Sequence, residues 1–555
     1  SLLLLLLYAD YKLFHASSVH LLWTLRLLTD DGLRGASRTV NALGLPPGTL
    51  TEWTTAGLLG FVGIMSAMSA GRFVSKRVRT GAKMKTLVMM TAAFALCAIA
   101  IEMTEARTPS LDMAWGERRR IMPWQLVSSG GVRGLKISNA VLKAVDSRIA
   151  ALKQHMDLSL PAGPRPNILL FVVESLRPDY LTKETAPNLA GFRQDCLNLG
   201  DGYSNGNATH LGWYALFTSN FPQYLIEDRS RQELWGSLPI RVLKNSSYRV
   251  GTFAATYLDY HGLDEIIFGR GLKLADEFVD CRKLESGDFD AQDIATTEAL
   301  MADLRSHKEK TARFVFFQST HFGYCWSKNF EPPFAPFAER VSPVESPKTE
   351  TELRAIQNRY RNSICFVDSL IGKILAGMKR DGTYDDSLIV ILGDHGEEFL
   401  EEGRMFHANG LSVAQTRIPF YFKPPAGMVC PGMLTHEEPA SHMDVFPTIF
   451  DFLGLHNSAL FEGQSLFHKT DNVVVTAAQN GARDTVEFFL AAPDMKAWFA
   501  YDDDGTKIGA KSSVYFTRLT TPDGRRFPPA GNDESRILME KFGPALIRLY
   551  PGLGQ

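Results

Sequence analysis

Acidic and imidazole side chains stand shortly after three apolar runs of the sequence. The residues concerned are Glu174, His321, Asp394, His395 and His407. One polar side chain after a strand is usually a solvated loop residue, but a carboxylate, an imidazole and a carboxylate–imidazole pair after three strands indicate a shared site. Carboxylate and imidazole donors without a thiolate suit zinc or manganese, and suit calcium or magnesium less well. The pattern therefore predicts a divalent metal site.

Three continuous apolar runs would position these side chains. They cover residues 168–173, 314–317 and 387–392, and a weaker fourth run covers 250–255. Continuous apolar strands that alternate with helical segments are typical of a mainly parallel sheet with both faces covered. In such sheets ligands bind beyond the carboxyl ends of the strands. We therefore predict an α/β fold with a mainly parallel central sheet flanked by helices, and a site at one edge of that sheet.

A hydroxyl that could act as a nucleophile occurs at Thr209, just before a segment, residues 211–219, that the sequence predicts to be helical. Backbone amides at the start of a helix favour a negatively charged phosphoryl or sulfuryl group. Threonine at such a place is most often an ordinary helix cap, and the local sequence alone favours that interpretation. Both interpretations stay open at this point.

Length, charge and cysteine content exclude several classes of protein. The chain has 555 residues, enough for roughly three to four domains. Its 59 basic and 61 acidic residues give a net charge of −2, which argues against a nucleic-acid-binding protein. Six cysteines are too few for a disulfide scaffold, and the absence of a C-x-x-C pair removes the common zinc-ribbon and thioredoxin motifs.

Two uncharged stretches near the N-terminus have the length of membrane spans, residues 53–71 and 86–101. The alternative is a pair of buried globular helices. Between them, residues 72–85 contain six basic side chains and no acidic one, which is typical of a cytoplasmic loop. Everything after Glu102 would then lie outside the cytoplasm. We therefore expect a multi-pass membrane protein whose chain lies outside the cytoplasm after residue 102.

The domain organisation follows from these boundaries. We predict a transmembrane region at 1–105 that begins inside a truncated helix, a connector with an amphipathic helix at 106–163, a catalytic domain at 164–470 and a C-terminal subdomain at 471–555.

Five segments between residue 166 and about residue 455 resemble the sulfatase-like branch of the alkaline phosphatase superfamily. NILLFVVESLRPDYL resembles the first strand of that family, and TAPNLAGF resembles its T-P-N-L segment. GNATHLGWYALFTSNFP resembles the segment in which lipoteichoic-acid synthases carry a nucleophilic threonine. GDHGEEFLEEGRMFH resembles the D-H-G-E element of phosphoethanolamine transferases. SHMDVFPTIFDFLG resembles the helix that closes the core.

The resemblance implies a membrane-anchored metalloenzyme that hydrolyses or transfers phosphate-ester head groups. It assigns the metal to Glu174, Thr209, Asp394 and His395. Thr209 would be the nucleophile of a covalent phospho-threonine intermediate. His321 and His407 would bind the substrate, protonate the leaving group or hold a second metal.

Two departures from the family pattern bear on the chemistry. Many sulfatases carry C-x-P-x-R, whose cysteine becomes formylglycine, whereas Thr209 takes that place here. Sulfate-ester hydrolysis of that type is therefore disfavoured, and a sulfuric ester hydrolase that uses threonine stays an alternative. Phosphoethanolamine transferases also carry several disulfides outside the cytoplasm, whereas the five cysteines after residue 102 allow at most two pairs.

Residues 8–37 resemble the membrane domain of an inner-membrane family that regulates lipopolysaccharide synthesis and binds cardiolipin or lipid A. This resemblance implies a multi-pass protein of the bacterial inner membrane with a periplasmic catalytic domain. It also implies a phospholipid, lipid A or another envelope glycolipid as substrate or partner. It also supports a rival function, a non-enzymatic lipid-binding regulator with the same fold. The complete set of acidic, imidazole and hydroxyl side chains favours retained chemistry.

Overall fold

The computed structural model describes residues 153–230, 234–256, 258–281, 289–341, 347–432, 439–456, 460–470, 473–479, 485–502, 513–521, 540–546 and 548–549. The predicted membrane spans, the basic loop between them and almost all of the predicted amphipathic helix lie outside these residues. Among the described residues, no helix is both long enough and apolar enough to cross a membrane.

Eight strands form one central sheet. They are β1 (Asn167–Val173), β2 (Asp201–Tyr203), β3 (Arg249–Ala254), β4 (Glu277–Asp280), β5 (Thr311–Phe317), β6 (Ser387–Gly393), β9 (Arg417–Lys423) and β10 (Ala440–Ser441). Their order across the sheet is β10-β2-β9-β6-β1-β5-β3-β4. Only β9 runs antiparallel to its two neighbours, so the prediction of a mainly parallel sheet is confirmed.

The other strands that the structure describes form two smaller sheets. A two-stranded ribbon consists of β7 (Glu398–Phe399) and β8 (Met405–Phe406). A four-stranded antiparallel sheet consists of β11 (Val474–Gln479), β12 (Thr485–Ala491), β13 (Lys496–Asp502) and β14 (Ser513–Thr520). The second sheet lies within the predicted C-terminal subdomain, whose boundary with the catalytic domain stays a prediction.

Helices cover both faces of the central sheet. They are α1 (Pro187–Phe192), α2 (Thr209–Thr218), α3 (Leu225–Ser230), α4 (Leu238–Asn245), α5 (Leu263–Phe268), α6 (Phe289–Ser306), α7 (Glu350–Arg380), α8 (Val413–Thr416) and α9 (Val445–Phe452). Successive side chains of a strand point to opposite faces. Accordingly, Leu170 of β1 joins a core with α2 and α9, and Phe171 joins a second core with α1 and α7. Strand β1 is therefore apolar on both faces at every position after Asn167.

The strand register brings three polar loops to one edge. Val173 at the end of β1 lies opposite Phe317 of β5 on one side and Gly393 of β6 on the other. The backbone amide of Glu174 donates to Phe317, and the backbone amide of Asp394 donates to Val173. The residues after the three strands therefore leave the sheet together, as predicted.

The five cysteines that the structure describes are free thiols. They lie at positions 196, 281, 325, 365 and 430. The described part of the chain therefore contains no disulfide, and the departure from the phosphoethanolamine transferase pattern extends to all five of these cysteines.

Candidate active site

The centre of the site is built on the first residues after β1 and β6. Asp394 Oδ1 accepts hydrogen bonds from the backbone amides of Ser175, at 2.9 Å, and of His395, at 2.8 Å. His395 Nε2 lies 3.2 Å from Glu174 Oε1 and 3.5 Å from Asp394 Oδ2. All these side chains are buried. The two strand ends thus hold two carboxylates around one imidazole.

Thr209 lies at the same point. It is the first residue of α2, and the preceding Ala208 occupies the N-cap position without a side-chain hydrogen bond. Thr209 Oγ1 instead lies 3.2 Å from Glu174 Oε2 and 3.4 Å from His395 Nε2. The helix-cap interpretation of Thr209 is therefore wrong, because its hydroxyl faces the carboxylate and the imidazole and not the free amides of its own helix.

A glycine lets α2 approach the strand end closely. A Cβ atom on Gly212 would lie only 2.4 Å from the carbonyl oxygen of Asp394. Ser204, in the turn before α2, donates to the same carbonyl at 2.7 Å. Because Gly212 has no side chain, α2, which begins at Thr209, can lie against the backbone of Asp394.

We expect Gly212→Ala to lower turnover by about 100-fold, since a misplacement of reacting groups by about 1 Å has an effect of that size. The added methyl would push α2, and Thr209 with it, away from Asp394. The matched control is Gly377→Ala in α7, where the new Cβ would meet its nearest neighbour at 3.4 Å, an ordinary contact. Steady-state kinetics and thermal melting of both variants test the expectation, and full activity of Gly212→Ala would contradict it.

His321 and His407 form a second group with Glu174. The potential ligand atoms of these three residues lie within 4.8 Å of one another, and the same is true of Glu174, Asp394 and His395. The ring centres of His407 and His395 are 4.3 Å apart, and those of His407 and His321 are 5.1 Å apart. The structure therefore brings together all six side chains that the sequence analysis selected.

Burial and neighbouring charges raise the pKa of some side chains in the site and lower the pKa of others. Burial and the carboxylate of Glu174 raise the pKa of Asp394 well above its usual range. Burial alone would raise the pKa of Glu174, but its hydrogen bond to His395 and the nearby imidazoles hold it below its usual range. Burial opposes the charge on His395, but Asp394 and Glu174 raise its pKa to about 10. Burial lowers the pKa of His321 to about 4.

The donor set fits a divalent cation. Asp394 Oδ2 is buried and accepts no hydrogen bond from any residue of the described ranges. Two carboxylates buried together repel each other, and a cation between them would remove that repulsion. Carboxylate oxygens with imidazole nitrogens are donors suited to zinc or manganese. Glu174, Asp394, His395 and the hydroxyl of Thr209 are the side chains placed to hold it.

Further residues, which the sequence pattern did not indicate, hold these side chains in place. Glu397 Oε2 lies 2.6 Å from His407 Nδ1, and its other oxygen accepts from the hydroxyl of Tyr324 at 2.6 Å. His442 Nε2 donates to the carbonyl of Gly393 at 2.8 Å, behind Asp394. Glu397 and His442 both lie in segments that carried the family resemblance, but the contacts that reveal their roles are long-range.

A family model described as Sulfatase matches residues 166–455, just over half of the chain. The chain belongs to the sulfatase family. This confirms the resemblance to the sulfatase-like branch of the alkaline phosphatase superfamily, and the domain is that of a sulfatase-like hydrolase or phosphotransferase.

Sequence relatives of this sulfatase-family chain match shorter stretches. A choline-sulfatase of Rhizobium meliloti is 31% identical over 107 residues, which cover 19% of this chain and 20% of the relative. A multifunctional alkaline phosphatase superfamily protein of Trinickia caryophylli is 31% identical over 117 residues, which cover 21% and 22%. The chain thus spans about a fifth of the length of these two curated relatives.

A solved structure shows the same fold over a longer range. The phosphonate monoester hydrolase of Agrobacterium radiobacter superimposes with a TM-score of 0.51 and 16% identity, over 70% of this chain and 96% of the hydrolase. At this identity the likeness concerns the fold alone.

Proposed function

We propose that this protein is a metal-dependent enzyme that transfers or hydrolyses phosphate esters through a covalent intermediate on Thr209. The observation that carries the proposal is the position of the Thr209 hydroxyl, 3.2 Å from Glu174 and 3.4 Å from His395. A hydroxyl in a cluster of carboxylates and imidazoles is the arrangement that nucleophilic catalysis requires.

A divalent cation held by Glu174, Thr209, Asp394 and His395 would lower the pKa of the hydroxyl and stabilise negative charge on the phosphoryl oxygens. The hydroxyl of Thr209 donates to Glu174, so this carboxylate is the nearest acceptor for its proton. The bond from Thr209 Oγ1 to phosphorus forms as the bond from phosphorus to the leaving oxygen breaks. The proton taken up by Glu174 passes to the leaving oxygen. Water or an acceptor hydroxyl then attacks the phosphorus, the bond from phosphorus to Thr209 Oγ1 breaks, and the proton of the attacking hydroxyl returns to Oγ1.

The two remaining histidines, His321 and His407, lie beside Glu174 and His395. The low pKa of His321, a consequence of burial, leaves it neutral at physiological pH, so it can accept a hydrogen bond or a cation. His407 lies between His321 and His395 and is placed to contact the oxygens of the substrate or the leaving group. Either histidine could serve in a second metal site together with Glu174.

The two alternatives are less well supported. A sulfuric ester hydrolase of the formylglycine type needs a cysteine where this chain has Thr209. A non-enzymatic lipid-binding regulator has no need of a buried carboxylate oxygen without a hydrogen-bond donor, as Asp394 has among the described residues. The proposed catalytic function accounts for that oxygen, because the oxygen would be a metal ligand.

The substrate proposed here is a phospholipid, lipid A or another envelope glycolipid, reached by a periplasmic domain anchored in the inner membrane. The support is the charge pattern of residues 53–101, in which a loop of six basic side chains separates two uncharged stretches. An enzyme held at a membrane surface meets lipid head groups at high local concentration.

The test is turnover by the full chain, purified in detergent and loaded with zinc or manganese, on chromogenic phosphodiester, phosphonate monoester and sulfate esters. We expect the phosphodiester to react faster than the sulfate ester, with activity lost on chelation and restored by metal. Intact mass and phosphopeptide analysis after incubation with bacterial phospholipids should show a phosphoryl adduct on Thr209. Turnover of the sulfate ester alone would favour the sulfatase alternative, and no turnover by metal-loaded protein would favour the regulator.

A further inference from the structure

The ribbon of β7 and β8 places an acidic side chain opposite one of the catalytic-site histidines. Its register pairs Glu398 with Phe406 and Phe399 with Met405. Continuing that antiparallel register by one position puts Glu397, which precedes β7, opposite His407, which follows β8. The short ribbon therefore delivers a carboxylate and an imidazole to the same place from ten residues apart in sequence.

A chain of hydrogen bonds runs through this pair. The Tyr324 hydroxyl donates to Glu397 Oε1 at 2.6 Å, and Glu397 Oε2 lies 2.6 Å from His407 Nδ1. The Glu397 side chain is fully buried, and Tyr324 is 1% exposed. Burial and the carboxylate of Glu397 raise the pKa of Tyr324 well above its usual range, so the phenol keeps its proton and donates.

The backbone conformation on either side of His407 also constrains the pair of Glu397 and His407. Phe406 and Ala408, on either side of His407, both have left-handed backbone conformations, with φ of 71° and 60°. Such conformations are unfavourable for residues other than glycine and persist only where the surroundings enforce them. The amide of Ala408 donates to the carbonyl of Asn207, two residues before Thr209. The ribbon is thus tied directly to the segment that carries the nucleophile.

We propose that Glu397, itself held by Tyr324, is the positioning residue of His407: it accepts the Nδ1 proton and so leaves Nε2, unprotonated in the neutral imidazole, as the ring atom that binds a cation or takes up and delivers a proton. A carboxylate behind a histidine commonly selects the tautomer and orients the ring in this way. Both oxygens of Glu397 are used by Tyr324 and His407, so its effect on the site passes through His407. This inference rests on the proposed function of the site.

The first test is a set of double-mutant cycles measured as turnover of the chromogenic phosphodiester by the metal-loaded full chain. Glu397→Gln should lower turnover by about 10- to 100-fold, as changes behind metal-site histidines do. Tyr324→Phe, which loses one hydrogen bond, should lower it about two- to tenfold. Because the three residues act in series, Tyr324→Phe should add less than about a twofold effect to Glu397→Gln, and Glu397→Gln should add equally little to His407→Asn.

The matched control is Glu398→Gln. Glu398 is the next residue and equally buried, but its oxygens accept from the backbone amides of Glu402 and Arg404 and from the side chain of Gln415. It should keep at least about half of the wild-type turnover if the effect belongs to the contact with His407. Independent, multiplying effects of Tyr324→Phe, Glu397→Gln and His407→Asn would overturn the proposal.

The second test does not depend on turnover. In the metal-free full chain labelled with 15N-histidine, at alkaline pH, the signal of His407 is assigned by its loss in His407→Asn. Wild type and Glu398→Gln should show the Nδ1–H tautomer alone. Glu397→Gln should show a mixture, because an amide can donate to Nδ1 as well as accept from it.

The two tests separate the two hypotheses. An Nε2–H tautomer in wild type, or an unchanged spectrum in Glu397→Gln, would overturn the role of Glu397. An Nδ1–H tautomer in the metal-free wild type, together with no ester turnover by the metal-loaded wild type, would overturn the proposed function and leave the positioning of His407 supported.

Discussion

We expect Thr209→Ala to lower kcat/KM by about 10⁴-fold or more while the melting temperature stays unchanged, because removal of a nucleophile has effects of that size. The hydroxyl caps no helix, since Ala208 occupies the N-cap of α2, so its loss should leave the helix intact. Metal binding should weaken but persist through Glu174, Asp394 and His395. Kinetics, melting curves and metal analysis of the purified variant test each part.

Thr209→Ser separates the nucleophile from the packing of the threonine methyl group. A hydroxyl remains beside Glu174, so we expect part of the activity to be kept. The control is Thr218→Ala in the last turn of the same helix, where the hydroxyl donates to the carbonyl of Tyr214 at 2.6 Å. That variant should lose about 1 kcal/mol of stability and keep its turnover. Wild-type turnover by Thr209→Ala would exclude Thr209 as the nucleophile.

We expect Asp394→Asn to lose bound metal and to lower turnover by more than about 10³-fold, a larger effect than removal of one transition-state hydrogen bond. The variant should still fold. The amide oxygen of asparagine can accept from the backbone amides of Ser175 and His395 as Asp394 Oδ1 does. Its nitrogen would replace an oxygen that has no donor among the described residues and could donate to Glu174. The chelated variant should therefore melt at or above the temperature of chelated wild type, because one of two buried carboxylates is gone.

The control for Asp394→Asn is another buried aspartate. Asp368 of α7 accepts from the backbone amides of Asn188 and Leu189, at 3.0 and 2.8 Å. Asp368→Asn should reduce stability, since one of these hydrogen bonds is weakened, and should bind metal as wild type does. Metal content is measured after dialysis against trace zinc, together with melting curves with and without chelator. Full metal occupancy in Asp394→Asn would remove Asp394 from the proposed ligand set.

The sequence alone determined the architecture because the central strands are buried on both faces. Every position of β1 after Asn167 is apolar, and a run of that kind has one common explanation in a soluble domain, a strand inside a parallel sheet. Parallel strands end at the same edge, so the meeting of Glu174, Asp394 and His395 followed from the order of residues along the chain.

The role of Thr209 was undecidable from the local sequence. A threonine before a helix is compatible with a cap and with a nucleophile, and the difference lies in which atoms surround its hydroxyl. The close approach of α2 to the end of β6, which Gly212 permits, turned that hydroxyl towards Glu174. The resemblance to lipoteichoic-acid synthases pointed the same way, but the distance comes from packing between elements far apart in sequence.

Only the tertiary structure revealed how the histidines are held. The contacts of Tyr324 and His407 with Glu397 span 73 and 10 residues. Hydrogen bonds of this kind have no periodicity in sequence, because a ribbon register and a loop conformation, not a regular element, bring the partners together. The chain order thus specified which groups reach the edge of the sheet, whereas long-range packing decided which atom of each group faces the reaction.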